Sequence, residues 1–458
     1  DAVGARHAVP LPQILHIPPT VQGVLAARID RLAPDEKALL QHLSVIGRQF
    51  PVSVIRQVIP QPEADLYRLL ASLQRKEFLY EQPAFPEVEY LFKHALTQEV
   101  AYNSVLIERR KVLHEQVGQA IEEVYRGQLD EHYRELAHHY SQSSNTEKAI
   151  EYLQKAGQQA VQRSANTEAI THLTTALELL KTLPDTPERT RQELGLQIAL
   201  GLPLMATKGF AAPEVEAVFA RARELSQHLG ESPQLASALL GLCMFYSTKG
   251  KYDLVREIVA QLIRSSQRNP HSPIHIEASL VLGIATFFLG EFPVAQTQFA
   301  QGWALYDSQP RTASEFLYWK DPAIVHLSYS SWLLWFFGYP DQSLAKSHEA
   351  LALARRVSHP FSLSLALTMG GWLRQFRREA LSIQEYAEPL VALSREYDFP
   401  FFLAAGVIQE GLVSAALRKS EEGLLQIHKG MTAQQATGGE NGRPYFFALL
   451  AEEYGKIG

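Results

Sequence analysis

Apolar side chains recur every three to four residues from Val21 onward, the spacing of a helix with one buried stripe. Val21, Val24, Leu25, Ile29 and Leu32 share such a stripe, and Thr20 ahead of them is a good N-cap. The stretch "RLAPDEK" breaks this helix and starts another, with Pro34 suited to a first turn and Asp35 and Glu36 favourable near its positive end. Helices are expected over Asp35–Ile46, Val52–Val58 and Ala64–Arg75, the last with Leu66, Leu69, Leu70 and Leu73 on its buried face. The pattern then turns strand-like in "EFLYE" and "VEYLF", joined by the proline-rich tip "QPAFP". Residues 1–19, with four prolines and little periodicity, suit an extended connector.

Three short helices followed by a two-stranded hairpin follow the plan of a winged helix, expected over residues 34–93. Its third helix sets Glu63 and Asp65 against Arg68, Arg75 and Lys76, which is not a face that grips phosphates. A structural or regulatory winged helix is therefore expected, with no nucleic-acid partner. From His94 the chain is almost pure helix, with connecting helices over 94–130 and repeats over 131–458. Leu242, Cys243, Tyr246, Gly250, Tyr252, Val255, Val259 and Leu262 match the tetratricopeptide scheme, in which small and large residues interlock between helix A and helix B. Leu282, Gly283, Gly290, Phe292, Ala295, Phe299 and Gly302 form the next copy. Later copies are anchored by Ser331, Gly338 and Ala350; by Gly370, Tyr386 and Pro389; and by Gly411, Gly423, Ile427 and Gly430. An earlier copy holds Leu136, Ala137, Tyr140, Ala149, Leu153 and Ala156. The period is about 40 residues rather than the roughly 34 of the standard repeat.

The expected fold class is thus mostly α: a small winged-helix domain followed by a tetratricopeptide-like α-solenoid superhelix with a concave and a convex face. Residues 1–33 are assigned to a linker and one helix. The final "RPYFFALLAEEYGKIG" matches a lone helix A, and the chain opens on Asp1 rather than Met, so a piece of a longer protein is expected.

Composition narrows the function classes. A formal net charge of -6 argues against a broad nucleic-acid footprint. One cysteine, Cys243, excludes an internal disulfide framework and suits a reducing, cytoplasmic setting. The longest apolar stretches, around Leu280–Gly290 and Trp332–Phe337, fall short of the roughly 20 residues of a bilayer span, so no membrane partner is expected.

Catalytic constellations are absent: no GxxxxGK[ST] phosphate loop, no HExxH, GxSxG or CxxC. Neither a cofactor nor a metal is expected in this segment, and it is read as non-catalytic. His132 and His139 lie a heptad apart in "EHYRELAHHY" and on one continuous helix would share a face with His138 nearby, without a carboxylate or cysteine to complete a metal set. His94 suits a helix start or packing better than general-base work, and Cys243 occupies a small-residue packing position. One feature stands out, the run "SYSSWLLWFFGYP". Projected on the repeat, Trp332, Trp335 and Phe336 face the concave side, with Ile284, Phe287 and Phe288 in the repeat before. Two readings stay open: an apolar groove for a peptide or a neighbouring domain, or rings that pack against one another. Arg374 and Gln375 stand in the equivalent places of the following repeat, so any patch is expected to be local.

The segments "IPPTVQGVLAARIDRLAPDEKALLQHLSVIGRQF", "LFKHALTQEVAYNSVLIERRKVLHEQVGQAIE" and "LAHHYSQSSNTEKAIEYLQKAGQQA" resemble the region behind the NTPase core of bacterial multidomain signalling ATPases. These join a class III adenylate or guanylate cyclase, an AAA-like or STAND-type NTPase and a long tetratricopeptide tail. The resemblance covers residues 14–185; beyond them it rests on repeat register. It implies that Thr20–Leu32 is the last helix of an NTPase lid, with Arg28 or Arg31 near the nucleotide as a sensor or held in surface ion pairs. It implies ATP and Mg in the parent protein, and a partner that is another protein or the chain's own upstream domains. The function expected is signal transduction: a regulatory scaffold controlling an upstream NTPase and cyclase by protein–protein interaction. The alternatives are part of an ATP-controlled cyclase or of a large STAND-type transcription regulator.

Overall fold

The computed structural model describes residues 19–84, 87–229, 233–265, 274–308, 321–418 and 421–457. The expected connector before Pro19 and residues 85–86 of the hairpin tip lie outside the described residues. The chain divides into two compact units, residues 1–153 and 154–458.

The first unit opens with α1 (Pro19–Asp30), α2 (Pro34–Ile46), β1 (Gln49–Pro51), α3 (Val52–Val58), α4 (Glu63–Arg75), β2 (Leu79–Gln82) and β3 (Glu89–Phe92). The order helix, strand, helix, helix, hairpin adds one strand to the sequence expectation. Antiparallel β1 and β2 flank β3, with Phe50 opposite Tyr90 and Tyr80 opposite Leu91. Three residues are too few to show a period, so β1 is invisible in the pattern. Phe50, fully buried, meets Phe92 edge-on at 5.9 Å. On α4 the buried residues are Leu66, Leu69, Leu70 and Leu73, as the spacing requires.

Two details of α1 differ from expectation. It begins at Pro19, so Thr20 lies inside the helix rather than capping it. Leu25, Ile29 and Leu32 are buried, whereas Val21 and Val24 are exposed, so only the C-terminal half of the stripe is covered. Glu36 ties α2 to the end of α4: it accepts from Ala33 N, Ser72 Oγ and Lys76 Nζ at 3.1, 2.6 and 2.7 Å. The lysine above all, then the serine, hold its carboxyl below the usual range.

Next come α5 (Ala95–Asn103), α6 (Ile107–Val124), a 3-10 turn (Leu129–His132), α7 (Tyr133–Ser141) and α8 (Thr146–Gln162), in which the division between units falls. Glu122 of α6 collects Tyr140, Lys148 and Tyr152 from the α7–α8 pair. Burial pushes its carboxyl up, but these three donors outweigh that and lower it.

The second unit is a run of helix pairs. It comprises α9 (Asn166–Leu180), then α10 (Pro187–Lys208) with α11 (Pro213–Leu229), α12 (Pro233–Thr248) with α13 (Tyr252–Ser265), and α14 (Ile274–Phe288) with α15 (Phe292–Asp307). There follow α16 (Pro322–Phe336) with α17 (Pro340–Val357), α18 (Pro360–Phe376) with α19 (Ala380–Glu396), α20 (Pro400–Arg418) with α21 (Glu421–Ala436), and α22 (Arg443–Ile457). Seven of these helices begin on proline, which needs no N–H there, so these prolines start helices rather than break them. The α9 and α10–α11 segments carry no repeat signature, and the pattern alone did not find them.

In the α10–α11, α14–α15 and α18–α19 pairs, a ring on one helix (Phe219, Phe299, Tyr386) fills the space left by a glycine on the other (Gly201, Gly283, Gly370). A Cβ on Gly283 would lie 2.5 Å from the Phe299 ring. The tight turns between paired helices use the left-handed region at Gly250, Gly290 and Gly338, and Arg378 adopts it at φ 61°. Cys243 is fully buried, and burial pushes its thiol up to about 12. The helix α20 corrects the expectation about apolar stretches: Pro400–Leu417 is long and apolar enough to cross a bilayer. More than half of that window is buried, packed between α19 and α21.

Candidate functional site

The inward faces of the first helices of successive pairs enclose a cavity of about 430 Å³ in the second unit. Phe287 and Phe288 come from α14, Trp332, Trp335 and Phe336 from α16, Trp372 and Phe376 from α18, Phe401 and Phe402 from α20, and Tyr445 and Phe446 from α22.

Five of the six residues singled out from sequence meet here. Ile284, one turn before Phe287 and Phe288, is buried and instead lines a neighbouring 70 Å³ cavity that shares Tyr329, Leu365, Phe401, Phe402 and Asn441 with the larger one. The rings also pack against one another: Phe292 stacks on Phe336 at 5.2 Å, Trp332 meets Phe376 at 5.2 Å, and Phe287 meets Phe336 at 5.7 Å. Ring-on-ring packing and an open interior coexist because the rings line a curved wall. Trp332 Nε1 donates to the Met369 carbonyl at 2.9 Å, which fixes the indole in place.

The expectation of a local patch is corrected. Arg374 turns away from the cavity, donating to His348 Nε2 and pairing with Glu379 at 3.3 Å, while its neighbours Trp372 and Phe376 continue the aromatic wall. Gln375 joins that wall. The aromatic residues of α18, α20 and α22 were missed because the register was projected one repeat at a time; the "RPYFFALL" run was the available signal.

The repeat also closes on itself. Phe210, between α10 and α11, meets Phe361 at 5.5 Å and Phe401 at 5.2 Å. The backbone N–H groups of Glu440 and Asn441, in the α21–α22 loop, donate to the Thr248 carbonyl at the end of α12 at 2.9 and 3.1 Å. Phe210 and Thr248 line the 70 Å³ cavity that adjoins the larger one.

Polar groups in it are few and mostly uncharged. Gln375 and Gln434 are each 7% exposed, and neither side-chain amide has a hydrogen-bond partner among the described residues. Asn441 Oδ1 is buried without a partner. Arg378, the only charged residue lining the cavity among the described residues, pairs with Glu452 at 2.7 Å.

The remaining candidates lie in the first unit. His132 ends the 3-10 turn and stacks on Tyr125 at 3.7 Å, so it shares no continuous helix face with His139. His139, buried in α7, faces His114 of α6 with the two Nδ1 atoms 3.0 Å apart, and Tyr102 Oη lies 3.0 Å from His114 Nε2. One proton assignment satisfies all: the tyrosine donates to His114 Nε2, His114 Nδ1–H donates to His139 Nδ1, and His139 bonds the Ile46 carbonyl. Burial depresses both imidazoles, that of His114 to about 4. With His138 they border an 820 Å³ cavity. The described residues hold no group of three or more His, Cys, Asp or Glu side chains arranged for a metal ion. His94 is exposed at the start of α5. Arg28 donates to the Lys76 carbonyl at 3.0 Å and lies over the Phe78 ring; Arg31 is exposed.

No protein-family model matches the chain. Among curated proteins it is similar to an uncharacterized protein of Rhizobium meliloti (strain 1021), 22% identical over 443 residues, covering 95% of this chain and 42% of that one. The chain thus spans less than half the length of that relative. Among solved structures it is similar to a Rap protein complexed with competence and sporulation factor, with a TM-score of 0.51, 9% identity and coverage of 91% of this chain and 99% of the other. It is likewise similar to NprR in complex with its cognate peptide NprX, with a TM-score of 0.50, 12% identity and coverage of 83% and 97%. The fold is mostly α and tetratricopeptide-like.

Proposed function

We propose that this chain is a non-catalytic regulatory segment of a signal-transduction ATPase, and that its second unit receives a segment of a partner protein or peptide. The observation that carries the binding part is the aromatic cavity of about 430 Å³. That size lies in the range of ligand sites, roughly 300–1,000 Å³, and its rings are the groups that dominate contact energies. The NprR structure, of similar fold, holds a peptide. The signalling part is supported by the resemblance of residues 14–185 to the region behind an NTPase core and by a relative more than twice as long.

In this proposal α1 is the last helix of an upstream lid, residues 34–93 form a winged helix that relays the signal, and the repeats sense. With Arg28 engaged by Lys76, Arg31 is the better placed nucleotide sensor. Binding shifts the upstream equilibrium only if the partner prefers one state. The test compares ATP turnover by the parent protein with and without this segment, and with Trp335→Ala and Phe288→Ala. A tail-dependent response to partner that the two variants abolish is expected; equal turnover and equal response in every form would sink the proposal.

A further inference from the structure

We infer that the occupant of the aromatic cavity is an uncharged peptide segment, held by a bulky apolar side chain against the rings and by its main-chain amides against Gln375, Gln434 and Asn441. This rests on the proposal that the cavity is the binding site and adds its ligand chemistry.

Buried polar side chains in folded proteins have partners, so each exception calls for an explanation. Here three carboxamides gather in one cavity. Gln375 and Gln434, each more than nine-tenths buried, offer two N–H donors and a carbonyl apiece with no protein partner among the described residues. Asn441 presents a buried, unpartnered Oδ1, and its backbone bond to Thr248 holds it in place. A carboxamide bonds the N–H and C=O of a peptide unit with matched geometry. A carboxylate or ammonium ligand finds no counter-charge, since Arg378 is committed to Glu452, and its desolvation would go uncompensated. The volume, about three times the roughly 150 Å³ that admits benzene, takes a large side chain together with its flanking peptide groups.

The intrinsic fluorescence of Trp332, Trp335 and Trp372 reads occupancy directly. Four probes are titrated into the chain: acetyl-leucyl-phenylalanyl-leucinamide, the same tripeptide with aspartyl in the centre, N-acetylphenylalaninamide, and ethylbenzene. The neutral tripeptide is expected to bind at least about tenfold tighter than the aspartyl form and tighter than the single capped residue. Gln375→Met with Gln434→Met should weaken the tripeptide by about tenfold or more while ethylbenzene binds unchanged, which shows the cavity intact. Equal binding of the neutral and aspartyl tripeptides, or no effect of the double substitution, overturns the amide assignment and leaves the cavity a binding site. If the single capped residue matches the tripeptide, the occupant is a small amide rather than a peptide and the inference fails. If neither ethylbenzene nor the tripeptide binds, the cavity itself is not the site.

Discussion

Each unit encloses a cavity, and the two differ in what their polar groups do. The larger, in the first unit, is bordered by Tyr102, His114 and His139, whose polar atoms form one continuous chain of hydrogen bonds. The smaller, in the second unit, is walled by rings and holds Asn441, whose Oδ1 is buried without a partner, and Gln375 and Gln434, whose side-chain amides form no hydrogen bond among the described residues. The Tyr102–His114–His139 chain ties the first cavity's wall into the fold, whereas Asn441 Oδ1 in the second is buried without a partner, which under the proposal above is the mark of a receptive site.

The contrast can first be pressed on the walls. Trp332→Ala removes a buried indole and its bond to Met369, and should destabilise the second unit by about 3–5 kcal/mol in urea unfolding. A loss below about 1 kcal/mol would show that the wall is not structural.

The polar chain of the first unit is tested by acid. His114 and His139 stay neutral when folded but bind protons near pH 6.5 when unfolded, so the unfolded state takes up more protons as pH falls. Stability should therefore drop from pH 7 to 5, by at most about 1.4 kcal/mol per pH unit for each histidine. His138, depressed by burial, adds in the same direction; Glu135, whose charge favours protonated His138, opposes it, and Arg110 beside His114 reinforces the depression. Thermal unfolding of wild type and His139→Gln at both pH values measures this. An equally steep loss in the variant removes the pair as its cause.

Smaller again is the effect of filling the gap between paired helices. Gly283→Ala places a methyl 2.5 Å from the Phe299 ring and should cost about 1–3 kcal/mol, read as a lowered melting temperature. Gly283→Ala combined with Phe299→Leu should recover part of that loss.

These effects follow a division in what the sequence discloses. Periodicity shows a helix's buried face directly, so α3, the Leu66–Leu73 stripe of α4 and the helix pairs from α12 to α21 were legible. The aromatic run also declared itself, and five of the six residues chosen from it and from the preceding repeat share one cavity. What stayed hidden depends on contacts distant along the chain. Strand β1 exists because β3 offers it an edge. The His114–His139 pair joins two helices, whereas the heptad spacing of His132 and His139 suggested a face that the 3-10 turn interrupts. The closing contacts of Phe210 and Asn441 span most of the second unit, and no local pattern announces them.

The smallest expected effect discriminates most sharply. Tyr102→Phe removes one hydroxyl from the first unit and leaves His114 Nε2 buried without its donor, which should cost about 1–3 kcal/mol. Gln434→Met removes a whole carboxamide from the second unit and should cost almost nothing, about 0.5 kcal/mol or less, or even raise the melting temperature. The larger chemical change has the smaller consequence because the amide makes no hydrogen bond among the described residues, so the substitution sacrifices none. If Gln434→Met destabilises as much as Tyr102→Phe, the glutamine is held by the protein, and the distinction between a self-satisfied cavity and a receptive one collapses.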